Sequence, residues 1–305
     1  MKKHIIVIII MTGFTSKSFT CDVCGGTINS STGEIIPGLY SHFIGIRSNF
    51  QSFDSEHITL FPGENPILSK EWFHNTELFG RYTPHKRVQI MAFLPYNVVY
   101  KLEKSEMLTS QGIGDARLFS NFLLFDRKNN LTDFEINWFS GLHLKFPTGR
   151  YNFKEQEKVH FHPNMLPGTG SWDFGLQSDI ILSKNDHGTM ITGNFFIRGK
   201  NSRQYLFGNV TSLRAVYFYK KQWKTLSLML ETGLSYVNLA PDIDLRWNEE
   251  QVFSQGDILS PTIRLNVFYK NWVTQLSANR AIYQNLAKGQ TFQNYEVNLS
   301  IIKFI

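Results

Sequence analysis

Apolar and polar residues alternate along most of this chain. Between 133 and 147 the apolar positions are Phe134, Ile136, Trp138, Leu142, Leu144 and Phe146, while Glu135, Asn137, Gly141, His143 and Lys145 lie between them. Successive side chains of a strand point to opposite faces, so this rhythm predicts strands with one oily and one wet face. Leu226, Leu228, Leu230, Leu234 and Tyr236 oppose Thr225, Ser227, Glu231, Gly233 and Ser235 in the same way. Near the C-terminus Tyr295, Val297, Leu299, Ile301 and Ile305 oppose Asn294, Glu296, Asn298 and Ser300. Segments 116–125, 209–219 and 272–283 alternate less cleanly. The pattern predicts about twelve strands, at 38–53, 71–82, 87–101, 114–126, 133–147, 170–183, 188–199, 209–219, 224–238, 257–269, 272–283 and 292–305.

The connections between these strands switch between tight and long. Tight ones fall at 83–86, 127–132, 184–187, 220–223 and 270–271, rich in the Lys, Asn and Asp that suit polar turns. Long ones fall at 54–70, 102–113, 148–169, 200–208, 239–256 and 284–291. Strict alternation collects every long loop at one end of an antiparallel sheet, which a sandwich in water has no reason to do. Each strand is near or above the length that crosses a bilayer while tilted. A closed sheet with oil outside and water inside is a transmembrane barrel, with short periplasmic turns and longer external loops. The expected architecture is therefore all-β: a transmembrane antiparallel up-and-down β-barrel of about twelve strands, with both termini periplasmic.

Composition narrows the reading. The chain has 305 residues, 42% of them hydrophobic, and 14% aromatic with 26 Phe. That aromatic excess suits strands and interfacial girdles. The formal net charge of +6 is scattered, with no dense basic stretch of the kind that grips nucleic acid. Lys2, Lys3 and His4 precede the apolar run 5–11 and the small residues Ser16, Ser18 and Thr20, the order of a secretory signal. The expected domains are a signal peptide at 1–20, a periplasmic tether at 21–37 and an outer-membrane barrel at 38–305. The tether carries both cysteines, Cys21 and Cys24, ahead of a Gly, Ser and Thr-rich stretch. Three readings of that pair stay open: a local disulfide in an oxidising compartment, a soft-metal or redox pair, or lipidation of Cys21 behind the poorly matching Ser18-Phe19-Thr20. The partners expected are outer-membrane lipid, the barrel-assembly machinery and a small-molecule solute. No nucleic acid and no cofactor is expected.

Three segments carry a family likeness: Gly112-Ile113-Gly114-Asp115, Lys145-Phe146-Pro147-Thr148-Gly149-Arg150-Tyr151 and Gly168-Thr169-Gly170-Ser171-Trp172-Asp173-Phe174. In order and strand context they resemble bacterial outer-membrane barrels grouped as transporters, the porin-like phenol-degradation meta-pathway group. Cys21 to Gly25, with 79–82 and 94–96, is similar to a Bacteroidetes-type version. The resemblance implies a passive outer-membrane channel for small, hydrophobic or aromatic solutes.

Placing the strands in a barrel puts all three motifs at the external rim, on neighbouring strands around the 148–169 loop. They are expected to brace that loop so that it folds over or into the pore, with Lys145 and Asp173 as a cross-strand charge pair. The alternative is that their Gly and Pro only shape turns and bulges. Asp115 and Arg150 are rim candidates beside them. By parity the lumen candidates are Glu135, His143, Lys145, Gln177, Asp179, Asn194, Arg198, Arg214, Glu231, Arg264 and Arg280. About twelve strands make a restricted, loop-narrowed bore with a hydrated interior. Two rival functions stay open. One is a metal-linked outer-membrane protein using Cys21 and Cys24. The other is a barrel-type lipid hydrolase, for which His143 is on the wet parity and no Gly-x-Ser-x-Gly occurs. His160 and His162 flank Phe161 in a loop, as metal ligands or as solvated surface.

Overall fold

A computed structural model describes residues 41–57, 65–129, 133–151 and 162–305. The segments expected as signal peptide and tether, with Cys21 and Cys24, and His160 lie outside the described residues. The strands are β1 (Phe43–His57), β2 (Ile67–His85), β3 (Val88–Glu103), β4 (Glu106–Ile113), β5 (Arg117–Asn129), β6 (Phe134–Lys145), β7 (Asp173–Lys184), β8 (His187–Arg198) and β9 (Tyr205–Leu206). They continue as β10 (Val210–Gln222), β11 (Leu226–Leu239), β12 (Asp242–Asp244), β13 (Glu249–Gln251), β14 (Gly256–Tyr269), β15 (Trp272–Asn279), β16 (Tyr283–Leu286) and β17 (Thr291–Phe304).

Neighbours pair antiparallel in the order β1-β2-β3-β5-β6-β7-β8-β10-β11-β14-β15-β17, and β17 returns to β1, from Phe43↔Phe304 to Ser55↔Thr291. With β15 and β16 counted as one interrupted stave, the described residues form a closed barrel of twelve. Closure leaves none of the twelve staves as an edge strand. The alternation of connection lengths is also found: the turns at 185–186 and 270–271 are two residues long, with Asn185 and Lys270 in the left-handed region (φ 53° each), at the end where β1 begins and β17 stops.

The outward parity is apolar around the circumference. Ile46, Leu78, Leu142, Leu176, Leu234, Ile263 and Leu299 are half-exposed in its middle. Tyr82, Trp138, Trp223, Tyr269 and Trp272 ring the turn end, and Tyr96, Trp172, Tyr236, Tyr283 and Tyr295 ring the loop end. An aliphatic band between two aromatic girdles is the surface that a bilayer solvates.

Three connections hold more structure than alternation predicts. Residues 102–113, expected as an open loop, form the arm of a hairpin: β3 turns at Lys104 and Ser105 (φ 47° and 70°) and returns as β4, paired from Glu103↔Glu106 to Tyr96↔Ile113. Met107, Leu108 and Ile113 fall on both parities, so no two-faced rhythm marks this strand. The 200–208 and 239–256 loops contribute β9, β12 and β13 to a small three-stranded sheet.

The interior corrects the expectation of a bore lined by water and polar groups throughout. Phe43, Phe79, Met91, Phe93, Phe119, Val273 and Ile302 point inward as one buried apolar cluster at the turn end. Phe53, Phe73, Val99, Val210, Val237, Leu239, Ile258 and Leu286 form another towards the loop end. A polar belt separates them. Parity locates a face but not its chemistry, and these apolar residues share the inward parity with Arg47, Glu77 and Asn121.

Candidate functional site

The three motifs converge on one carboxylate. Between β4 and β5 the chain leaves the wall: the Gly114 N–H donates to Pro95 O at 2.8 Å, and Asp115 turns inward until it is 6% exposed. Asp115 Oδ1 accepts the Gly149 N–H at 2.9 Å, while Oδ2 accepts the Thr169 N–H at 2.8 Å and its hydroxyl at 2.6 Å. Backbone bonds close the knot. Arg150 N–H donates to Ile113 O, Gly168 N–H to Arg150 O, and Ala116 N–H to Thr148 Oγ1. Lys145 Nζ lies 3.4 Å from Asp115 Oδ2 and 2.5 Å from Asp173 Oδ2, so the expected cross-strand pair is present, at the register Lys145↔Asp173. Asp173 Oδ1 accepts the Ser171 hydroxyl at 3.0 Å and the Gly199 N–H at 3.1 Å. Gly170 takes φ 68°, a conformation that costs an L side chain about 1–2 kcal/mol.

This knot holds a plug. After it the chain runs through the barrel interior as His162–Pro167, with a single 3₁₀ turn over Pro163–Met165. Met165 is fully buried in the loop-end cluster, worth roughly 1.5–3 kcal/mol for a side chain of that size. Asn97 Nδ2 donates to Pro167 O at 2.7 Å, and Asn164 Nδ2 donates to Asp242 Oδ2 at 2.9 Å. The same carboxylate accepts the Tyr205 hydroxyl at 2.8 Å and the Gly208 N–H at 2.6 Å, tying the plug to the small sheet of β9, β12 and β13. Burial pushes the Asp242 carboxyl above its ordinary value, against the pull of those donors. Burial, with the Lys101 ammonium nearby, pushes the His162 imidazole down to about 3.

Beneath the plug is a cavity of about 150 Å³ bordered by Asn97, Arg117, Phe119, His143, Lys145, Asn164, Phe196 and Arg198. His143 stacks on Phe119 with ring centroids 3.6 Å apart and meets the Phe196 ring at 5.1 Å. Neither His143 ring nitrogen finds a hydrogen-bond partner among the described residues. An aromatic strip continues through Phe93, Phe79 and Phe43 down to the turn end. Gly175 makes room for it, since a Cβ there would stand 2.6 Å from the Phe196 ring. Guanidiniums cover the strip: Arg47 lies 5.2 Å from the Phe79 centroid and Arg117 5.2 Å from that of Phe93. Both also pair with the buried Glu77 carboxylate, one on each oxygen.

The remaining sequence candidates scatter around this centre. Asp179 accepts from Gln177 and from the Thr192 hydroxyl, and Asn194 Nδ2 donates to Ser212. Glu231 pairs with Arg214 at 3.3 Å and Arg264 at 3.4 Å across the opposite wall. Glu135 accepts from Asn137 near the turn end. Arg280 corrects its assignment to the lumen: it lies exposed in the break between β15 and β16, on the parity of Trp272 and Leu276, which face outward, whereas Val273, Gln275 and Ser277 face the bore. Arg150 is exposed, acting through its backbone, while Trp172 and Phe174 point outward and Trp172 packs edge-on against Phe146. Pro147 continues the turn beside it. Among the described residues, no group of three or more His, Cys, Asp or Glu side chains converges to hold a metal.

Sequence reasoning missed Arg47, Glu77, Arg117, Asn97, Asn164 and Asp242. Glu77 carried a usable signal, an acidic residue in a strand at the same parity as Phe73 and Phe79. Asp242 carried none, since a loop aspartate looks solvated until its partners are in place.

No family model matches the chain, and no curated protein matches it. Among solved structures, an outer-membrane channel from Pseudomonas putida F1 superposes with a TM-score of 0.65 at 16% identity, covering 89% of this chain and 100% of the channel. The β domain of the Bordetella autotransporter BrkA matches with a TM-score of 0.49 at 6% identity, covering 87% and 100%. At such identities the likeness is one of architecture, and the architecture is the closed antiparallel barrel of outer-membrane proteins.

Proposed function

We propose that this protein is a passive outer-membrane channel for small solutes, gated by its own 148–169 loop. The observation that carries the reading is the plug: Met165 and its neighbours fill the bore, yet they are held there by packing and a few hydrogen bonds and not by strand pairing with the wall. A barrel that served only as a scaffold has no need of a cavity beneath such a plug. The aromatic strip and the guanidiniums above it suit a small solute with a flat apolar body, in keeping with the family likeness of the three motifs. The 150 Å³ cavity is of the size that holds a benzene ring in an engineered protein core. The termini are taken as periplasmic and the long loops as external, with the chain delivered by a signal peptide and inserted by the barrel-assembly machinery. No catalytic role is assigned to it.

Purified protein in liposomes tests the reading. Swelling in a panel of sugars, amino acids and aromatic acids, together with discrete conductance steps in planar bilayers, is the expected result. Liposomes that swell no faster than protein-free ones in every solute, with no conductance steps, refute it.

A further inference from the structure

The two aromatic girdles carry opposite chemistry. At the turn end, cations share the outward parity with the rings. Trp272 opposes Lys303 across the ladder, and the Lys303 ammonium stands 5.5 Å from the Trp272 ring centroid. The Lys270 ammonium, in the adjoining turn, stands 5.4 Å from that of Tyr269. At the loop end the neighbours of the girdle are acidic or amide. The Tyr236 hydroxyl donates to Asp257 Oδ1 at 2.5 Å, Asn238 Nδ2 donates to the same atom at 2.7 Å, and Lys70 stands opposite Asp54. Girdle rings sit at headgroup depth, so the turn-end cations do too, with their apolar stems along the wall.

A compact group of this kind lies on β7, β8 and β10. Lys184 opposes His187, and His187 opposes Tyr219. The imidazole hydrogen-bonds the Tyr217 hydroxyl through Nδ1 and lies against the Tyr219 ring, centroids 4.8 Å apart. Lys221 follows Tyr219 by two residues on the same parity, about 7 Å further along the strand. Lys184 and Lys221 therefore flank the imidazole from its two sides, on staves about 10 Å apart. All three side chains are exposed. Asp186 occupies the turn beyond them, where its backbone carbonyl accepts the Lys220 N–H at 2.7 Å. Two ammoniums and an imidazole thus face outward over an aromatic floor, and ammoniums so placed hold phosphate oxygens.

We propose that Lys184, His187 and Lys221, over Tyr217 and Tyr219, form a site for the headgroup phosphate of an anionic glycerophospholipid. The other cations of the same girdle favour that lipid around the turn end. A phosphate diester with no ammonium of its own, as in phosphatidylglycerol, meets the two lysines without the repulsion that phosphatidylethanolamine brings. A soluble acidic partner would have to displace lipid to reach side chains at this depth. Lipid A, in the reading above, borders the long loops at the other end. The inference needs the membrane barrel alone and is independent of conduction through the bore.

Native mass spectrometry of the purified protein in mild detergent, titrated in turn with phosphatidylglycerol, phosphatidylethanolamine, lipid A and a polyglutamate peptide, reads the preference. Wild type is expected to bind phosphatidylglycerol about tenfold tighter than phosphatidylethanolamine. Lys184→Gln with Lys221→Gln is expected to lose most of that preference, and Lys184→Arg with Lys221→Arg to keep it. Arg280→Gln, which removes an outward cation away from this girdle, is expected to keep it as well. The heat-induced mobility shift on detergent gels checks that each variant is folded. Equal binding of the two phospholipids by wild type overturns the proposal, as does an undiminished preference in the folded double Gln variant. Tighter binding of lipid A or of polyglutamate than of phosphatidylglycerol overturns the assignment to a glycerophospholipid.

Discussion

Gly149 and Gly168 cross so closely that neither has room for a methyl group. A Cβ on Gly168 would stand 2.6 Å from Gly149 Cα, and one on Gly149 would stand 2.7 Å from Gly168 Cα. The two strands of the loop neck meet here, backbone on backbone, and Asp115 caps the crossing from one side. Gly168→Ala must therefore push the neck apart, at a cost of about 1–3 kcal/mol for overpacking. The plug should sit less often in the bore. Single-channel recordings should show a higher open probability than wild type, with the barrel still resistant to unfolding in detergent at room temperature. An unchanged open probability would mean that the crossing does not govern the plug.

Asp115 gathers three donors from two motifs and a nearby ammonium, so its charge is worth more than its volume. Asp115→Asn keeps the shape and removes the charge. Hydrogen bonds to a charged group contribute about 1.5–3 kcal/mol each, so the loss of one is already at least a tenfold shift in the docked population. Asp173→Asn should act in the same direction by freeing Lys145. Conductance and ion selectivity identical to wild type in both variants would reduce the motifs to shapers of the rim.

Glu77 is fully buried between the Arg47 and Arg117 guanidiniums. Glu77→Gln leaves two cations facing each other over the aromatic strip. Removing one partner of a buried ion pair costs roughly 3–5 kcal/mol. The midpoint of heat-induced mobility change on detergent gels should fall clearly, whereas Glu231→Gln, across the bore, tests whether the effect is local. A Glu77→Gln midpoint equal to wild type would show that water already screens the triad.

The plug should respond to acid through His162. Docked, its imidazole is held down to about 3, while an undocked one returns to the ordinary value near 6.5. A group whose docked value is depressed binds its proton only after release, so falling pH favours the undocked state from about 6.5 downward. Each pH unit in that window is worth at most about 1.4 kcal/mol. Asp242 works in opposition, because its raised carboxyl value favours docking in acid. Lys101 and Tyr205 also face the imidazole. The contribution of His162 is therefore read as a difference: open probability should rise more between pH 7 and 5.5 in wild type than in His162→Gln. Parallel responses would assign the pH dependence elsewhere.

Much of the barrel was legible in the alternation because one face of every stave meets a single uniform solvent. Leu226 to Tyr236 read cleanly for that reason. The inward face meets no uniform solvent, and so Phe79, Phe93 and Phe119 share it with Arg47 and Glu77. The charge pair of Lys145 and Asp173 was legible, being a matter of register between adjacent strands. Asp115 was expected beside the long loop, but its donors come from residues 34 and 54 positions away, and no local pattern carries such a distance. Arg280 failed because apolar residues stand on both parities of 272–283 and hide which one turns inward: Val273, Gln275 and Ser277 do, and Arg280 shares the outward parity of Leu276.

The pairing of Phe43 with Phe304 fixes the order of events in biogenesis. The first stave gains its second neighbour only when β17 has been made, so no earlier product can be an edgeless cylinder. Until then both flanks of the growing sheet carry bare hydrogen-bonding groups that lipid will not tolerate and other sheets will seek. The nascent polypeptide must be shielded until its tail arrives, and a deletion of the final stave should be rejected in transit.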